Sequence, residues 1–214
     1  PSAGVNVLDV KAVPAPVARY FTGAGNAVGG VHVRVSPFDS RIVDIKFFDH
    51  QGLNLSKQVQ RKIEGAFFRE DFRRAYMGEI GLISDALQAT AVYTEGFLQA
   101  VDVEAIKRLN CQLIIDYAHS TTSLVLPEIM NRLQCRAIPL NATIDETKMA
   151  ISQDELAQGM AQLSIIVTPL KADLAVRLDV SGEKVSFVDD KGTSLSSTTA
   201  LAAMCVLAWQ ATGG

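Results

Sequence analysis

The sequence is poor in several things, and each shortage closes off a class of answer. Only three cysteines, Cys111, Cys135 and Cys205, occur in 214 residues. They are widely spaced, each lies in an apolar run, and none has a second Cys or a His at metal-ligand spacing. That excludes a disulfide framework or zinc site and predicts reduced, buried thiols in a cytosolic protein. Charge of one sign is also scarce: 20 Lys and Arg stand against 23 Asp and Glu, a net charge of −3. Nothing in that balance calls for nucleic acid. The basic residues Arg61, Lys62, Arg69, Arg73 and Arg74 are interleaved with Glu64, Glu70, Asp71 and Glu79, the pattern of a solvated, salt-bridged face. Long apolar runs are missing too. The longest, residues 200–209, is about half of what a membrane span needs, and no basic-then-apolar signal segment opens the chain. An initiating Met is absent as well: the chain opens Pro1-Ser2-Ala3-Gly4, so a piece of a longer protein is expected.

Common catalytic signatures are equally lacking. Ser36, His32 and Asp39 invite a hydrolase triad, but there is no G-x-S-x-G turn to support one. The glycines between Gly23 and Gly30 lack both the P-loop Lys-Ser/Thr and the G-x-G-x-x-G spacing. His50 and His119 read as loop residues.

What is present is an ordinary globular balance, 48% hydrophobic and 20% charged, patterned as alternating strand and helix. Residues 5–10 predict a short strand. Pro14 and Pro16 then open a helix to about residue 24, since proline is tolerated in a first turn. Gly29-Gly30 is expected to turn the chain into a strand at 31–35, with valines on one face and His32, Arg34 and Ser36 on the other. Another strand follows at 42–48, closed by the turn Asp49-His50-Gln51-Gly52. Helices are predicted at 56–68 and 88–109, the latter broken near Val101-Asp102. After Asn110 the pattern restarts: strand 111–117, helix 123–133, strand 135–140, then a helix from about 154. The β-branched stretch 164–168 leaves that helix's end ambiguous. Strands at 174–178 and 185–188, joined through Val180-Ser181-Gly182, and a closing helix at 196–210 complete the pass. No internal repeat is evident. Such an order predicts an α/β protein of two consecutive domains, 1–104 and 105–214. Their sheets would be mixed and largely parallel, with helices on both faces.

Two segments are candidates for chemistry. In GGVHVRVSPFDSRIVDIKFFDHQG, Ser36 stands where an alternating strand runs into a polar turn, and Lys46 follows on the next strand. A serine carries a phosphoryl group only if donor and acceptor are positioned and a nearby group manages the proton; a lysine with a lowered pKa is such a group. In ADLAVRLDVSGEKVSFVDDKG, Asp179, Ser181 and Glu183 place oxygens at alternate loop positions, as Mg²⁺ sites do. The residues alone favour a plain polar hairpin there, with a cation site as the alternative.

Taken together, these segments resemble domains one and two of the α-D-phosphohexomutases, the phosphomannomutases and phosphoglucomutases. The likeness lies in the order: a Gly-Gly-led strand, a serine loop, a lysine strand ending Phe-Phe-Asp, and later the Ala-Asp-Leu strand with its acidic turn. SAGVNVLDVKAVPAPVARY and LPEIMNRLQCRAIPLN add to it, so that nearly all the chain is covered. Laid over RVSPFD, the family's T-A-S-H-N-P motif puts its phosphorylated serine on Ser36, and the N-G-x-K general acid/base falls on Lys46. The metal loop D-G-D-A-D-R falls on residues 179–184, with its aspartates at Asp179, Ser181 and Glu183. The resemblance thus implies a phosphoglucomutase-like fold and phosphoryl transfer between C1 and C6 of a hexose through phosphoserine. It also implies Mg²⁺ on Asp179, Ser181 and Glu183, with Lys184 and Arg34 binding phosphate.

No single motif is intact, however. Pro37 and Phe38 replace His-Asn, Ser181 replaces a carboxylate, Glu183 is a methylene longer, and Lys184 lacks the guanidinium fork. Reduced or lost activity is therefore expected, and the family's third and fourth domains have no counterpart here. RVSPFDSRIVDIKFFD most resembles modules fused to mannose-1-phosphate guanylyltransferase-type nucleotidyltransferases, which implies the alternative of a non-catalytic sugar-phosphate-binding or assembly module. The expected partners are a hexose phosphate and the rest of a longer parent chain, with a homo-oligomer left open; no nucleic acid or membrane is expected.

Overall fold

The computed structural model describes residues 1–212. The chain forms two compact units, one of Pro1–Arg34 with Asp44–Phe97, the other of Val35–Val43 with the chain from Leu98 onward.

In the first unit, strand β1 (Val7–Asp9) pairs in parallel with β4 (Ile83–Asp85), Val7 opposite Ile83 and Asp9 opposite Asp85. Lys11 Nζ bridges the two strand ends, 3.0 Å from Asp9 and 2.5 Å from Asp85. Helix α1 (Ala15–Ala24) starts behind Pro14 and buries Ala15, Val17, Ala18 and Thr22. The hairpin β2 (Gly29–Ser36) and β3 (Asp39–Asp49) follows, with its body in this unit and its tip, Val35–Val43, in the second. Gly29 and Gly30 lie within β2 rather than turning the chain into it. They are there for close approach: a Cβ at Gly29 would stand 2.8 Å from the Phe48 carbonyl, and one at Gly30 would strike the Thr22 hydroxyl. Beyond β3 come α2 (Lys57–Phe68), which buries none of its side chains, and α3 (Ala89–Ala100).

The second unit is built on one four-stranded sheet. Helix α4 (Val103–Leu109) leads into β5 (Gln112–Asp116), and α5 (Leu126–Arg132) leads into β6 (Arg136–Leu140). Helix α6 (Gln153–Ile166) precedes β7 (Leu174–Leu178) and β8 (Val185–Asp189). The strand order is β6-β5-β7-β8, with β5 parallel to β6 and β7, and β8 antiparallel to β7. The ambiguous stretch at 164–168 is helical as far as Ile166. Two forces overrule its β-branched preference. Ser152 and Glu155 form a reciprocal capping box that starts α6 firmly. Leu163 and Val167 then seat in the core with Ile114, Ala172, Ala175 and Val188.

The closing helix α7 (Ser197–Thr212) forms as expected but buries no side chain. Nor are all the cysteines buried: Cys205 is exposed, and Cys111 and Cys135 are half-buried.

An internal repeat, missed by inspection of the sequence, appears at the ends of β3 and β8. Asp49 Oδ1 accepts the Gln51 and Leu53 backbone N–H groups at 2.9 Å each. Asp189 Oδ1 accepts those of Lys191 and Thr193 at 3.0 and 2.7 Å. Gly52 and Gly192 then donate to the aspartate carbonyls at 3.0 Å with φ of +75° and +84°. Bridges Phe48–Asn54 and Val188–Ser194 close the two turns. Ser56 and Ser196 cap the next helices by accepting from Val59 and Thr199. Even the packing repeats: a Cβ on Gly52 would strike the Arg19 carbonyl of α1, and one on Gly192 the Ser164 carbonyl of α6. Only Phe, Asp, Gly, Leu and Ser are shared across the ten positions, too few to stand out by eye.

Candidate functional site

Ser36 closes β2, and only Pro37 and Phe38 separate it from Asp39 at the start of β3. A two-residue connection makes this an antiparallel hairpin. Its tip is held from two sides. Asp39 accepts the Arg41 backbone N–H and, through both carboxylate oxygens, its guanidinium at 3.0 and 2.8 Å. The guanidinium hydrogen bonds, ahead of the backbone one, hold the Asp39 carboxyl below its usual range. The Pro37 carbonyl accepts the Ile151 backbone N–H at 2.9 Å, tying the serine loop to the segment that leads into α6.

Along β2, His32, Arg34 and Ser36 form the half-buried face, while Val31 and Val33 are 56% and 60% exposed. The polar face, not the valine face, is turned inward. His32 Nε2 donates to the Val13 carbonyl at 3.1 Å, and Arg34 pairs across the hairpin with Asp44 at 3.3 Å. Arg34 is thus engaged with a carboxylate at the position where phosphate binding was expected. Lys46 lies on β3 on the same face as Asp44. It lines a cavity of about 230 Å³ with Asn54, Gln60 and Glu64. Ser36 falls in the second compact unit and Lys46 in the first.

The structure does bring the 179–184 residues together. Asp179 follows the end of β7, and the chain turns at once, Gly182 donating to the Asp179 carbonyl at 3.0 Å with φ +74°. Asp179 Oδ1 accepts the backbone N–H groups of Glu183 and Lys184 at 2.8 and 2.9 Å. Its Oδ2 accepts the Ser181 hydroxyl at 2.6 Å, and Glu183 Oε2 lies 3.3 Å from the same hydroxyl. Ser181 is buried and Lys184 exposed. Three hard oxygens therefore converge. Around Mg²⁺ with bonds of about 2.0–2.1 Å, adjacent oxygens stand about 3 Å apart, close to both separations here. The donors fit such a cation in kind and spacing, with two formal charges. Among the described residues no group of three or more His, Cys, Asp or Glu could hold a metal; this set has two carboxylates and a serine.

Beneath the loop lies an ion pair that the sequence reading passed over. Asp116 ends β5 and faces Arg177 of β7 in register, and the two form a salt bridge with side chains 3% and 10% exposed. Asp116 Oδ1 also accepts the Ala118 backbone N–H and the Asn141 side chain, both at 2.9 Å. Ala118 and His119 follow with φ of +49° and +56°, conformations that cost a non-glycine residue of order 1 kcal/mol or more. His119 Nδ1 lies 3.1 Å from the Thr143 carbonyl, so that nitrogen carries the proton in the neutral ring. The pair had one legible signal: a charge inside each of two apolar strands, which burial permits only with a partner. Its place is at the carboxyl ends of neighbouring parallel strands, where open α/β sheets build their sites.

With this geometry in hand, comparisons with known proteins agree with one another. The profile for phosphoglucomutase/phosphomannomutase α/β/α domain I matches residues 1–74, and that for α/β/α domain II matches residues 91–192. A phosphoglucomutase/phosphomannomutase of Thermococcus kodakarensis is 31% identical over 210 residues, covering 96% of this chain and 45% of its own length. A phosphoglucosamine/phosphogalactosamine mutase of Sulfurisphaera tokodaii is 27% identical over 89% of the chain and 42% of its own. A solved structure from Thermus thermophilus, provisionally designated a phosphomannomutase, superposes with a TM-score of 0.81 at 17% identity. The match covers 97% of this chain and 48% of that one, and shows the fold. The chain spans about half the length of the curated relatives it matches. On the two matched domains and the closeness of these relatives, the chain belongs to the phosphoglucomutase/phosphomannomutase family.

Proposed function

We propose that this chain is the serine-loop and metal-loop half of a phosphosugar mutase whose activity is reduced or lost. Residues 1–104 serve as domain one and 105–214 as domain two. The observation that carries the reading is the Asp179 loop, whose two carboxylates and one hydroxyl converge at hydrogen-bonding distances. In this reading Ser36 Oγ carries the phosphoryl group, passing it to one hydroxyl of a hexose phosphate and receiving it back from the other end of the bisphosphate. Lys46 takes the proton from the attacking hydroxyl and returns it to the leaving oxygen. Lys184 offers its charge to phosphate. Mg²⁺ on Asp179, Ser181 and Glu183 would offset charge on the transferring group, which is most of this kind of catalysis. A cytoplasmic location fits the free thiols, and no described helix is long and apolar enough to cross a membrane.

A second reading has an observation of its own. The Ser181 hydroxyl donates to Asp179 Oδ2 and two backbone N–H groups donate to Oδ1, so both carboxylate oxygens are hydrogen-bonded without a cation. That favours a non-catalytic sugar-phosphate-binding or assembly module, such as one fused to a mannose-1-phosphate guanylyltransferase-like nucleotidyltransferase.

Incubation with glucose 1,6-bisphosphate and Mg²⁺, followed by peptide mass spectrometry, separates the two. Phosphate on Ser36 that disappears in Ser36→Ala supports the transferase reading. An unmodified Ser36 in a protein that still binds glucose 1-phosphate by calorimetry leaves the second.

A further inference from the structure

The two cysteines 24 residues apart in sequence meet in space. Cys111 and Cys135 immediately precede β5 and β6, whose first residues, Gln112 and Arg136, are parallel partners. The Arg136 backbone N–H donates to the Cys111 carbonyl at 3.0 Å, so the strand pairing already includes the cysteines. Their sulfurs stand 3.1 Å apart. Neighbouring strands run about 4.8 Å apart, inside the roughly 4.4–6.8 Å that a disulfide tolerates between Cα atoms. Closing to the covalent distance of about 2.05 Å needs each sulfur to move by only about half an ångström.

We propose that Cys111 and Cys135 form an oxidisable dithiol site that closes to a cystine when the protein meets a peroxide. The chemistry balances in two steps. Peroxide transfers one oxygen to the Cys111 sulfur, giving a sulfenic acid and releasing water. Cys135 then attacks that sulfur, the S–S bond forms, and the displaced hydroxide leaves as a second water with the Cys135 proton. Overall two thiols lose two electrons and two protons, and the peroxide is reduced to water. The order follows from the surroundings: burial, and then the neighbouring Cys111, push the Cys135 thiol up to about 11. It is therefore the slower thiol to meet peroxide, and its sulfur, 3.1 Å from that of Cys111, is placed to resolve the sulfenic acid.

The consequence is mechanical. The cystine would join the amino ends of β5 and β6, across a connection that holds α5. Asp179 follows the carboxyl end of β7, which runs parallel to β5. The staple therefore sits at the opposite end of the strands from the acidic loop, and should raise thermal stability without altering cation binding there. Exposed Cys205 serves as an internal comparison.

The test is to titrate the protein with hydrogen peroxide and map peptides without reduction. One cross-linked pair containing Cys111 and Cys135, lighter by two hydrogens and released by dithiothreitol, is expected. With it should come a rise in melting temperature of roughly 5 °C or more, absent from Cys111→Ser and Cys135→Ser and retained in Cys205→Ser. Separate sulfinic or sulfonic acids on Cys111 and Cys135, or a bridge formed only through Cys205, overturns the proposal. Wild-type peptide mapping decides this point even if a serine variant fails to fold.

Discussion

The hairpins β2–β3 and β7–β8 invite comparison, because each runs into the same turn and differs at its tip. Both return strands end in an aspartate that gathers two backbone N–H groups, followed by a left-handed glycine and a serine-capped helix. At the tips, one hairpin offers a hydroxyl beside Pro37-Phe38, and the other offers converging carboxylates on a buried serine. The bodies are kept by backbone geometry, which tolerates few substitutions. The tips, outside that geometry, carry different chemistry in the two hairpins. The two also rest on unlike supports. The β7 tip stands beside a dry Asp116–Arg177 pair, whereas Arg34–Asp44 in the other hairpin has side chains 17% and 36% exposed.

That contrast is the largest effect to break. Asp116→Asn leaves Arg177 buried without its counter-charge and is expected to cost about 3–5 kcal/mol. Asp44→Asn, at a partly hydrated pair, should cost about 1 kcal/mol or less. Urea unfolding of the two variants checks this, and equal losses would remove the distinction between the hairpins. Next in size are the repeated turns. Gly52→Ala and Gly192→Ala each place a Cβ at positive φ against a carbonyl, and each should cost about 2 kcal/mol. Similar drops in melting temperature would establish the turns as equivalents; a silent Gly52→Ala would break the repeat.

At the tips, Ser181→Asp restores a third carboxylate and is expected to tighten Mg²⁺ binding by about tenfold or more. Isothermal calorimetry measures it, and unchanged affinity would mean that charge is not what the loop lacks. The smallest effect lies in acid. The Thr193 backbone N–H, foremost, holds the Asp189 carboxyl below its ordinary 3.8. A depressed folded value means that this contribution is whole above 3.8 and lost as pH falls through the folded value. Asp189→Asn should therefore lower stability at neutral pH by a small amount and flatten the acid limb, with wild type and variant converging at the lowest pH in urea unfolding followed against pH.

Much of this fold was legible because periodicity reports burial on one face. The strand-helix alternation, the break near Val101-Asp102 and the parallel core all follow from it, and the family match confirms the fold it implied. Pairing between distant strands leaves no such trace. Cys111 with Cys135 and Asp116 with Arg177 meet only because β6, β5 and β7 lie side by side in one register. The Gly29-Gly30 pair misled for a related reason: glycine serves close approach as readily as turning, and only the neighbouring Phe48 and Thr22 tell which. Within the site, spacing revealed the oxygens of residues 179–183 but not that Arg34 is engaged by Asp44.

Helix α7 carries a last consequence. Leu201, Val206, Leu207 and Trp209 are all more than half exposed, and no side chain of its sixteen residues is buried. A helix of that length with so little burial draws little stability from packing, and in water its own hydrogen bonds leave it close to the helix–coil midpoint. Its amide protons should exchange with solvent orders of magnitude faster than those of β5, and heating should melt it as a separate, gradual phase before the sheet gives way.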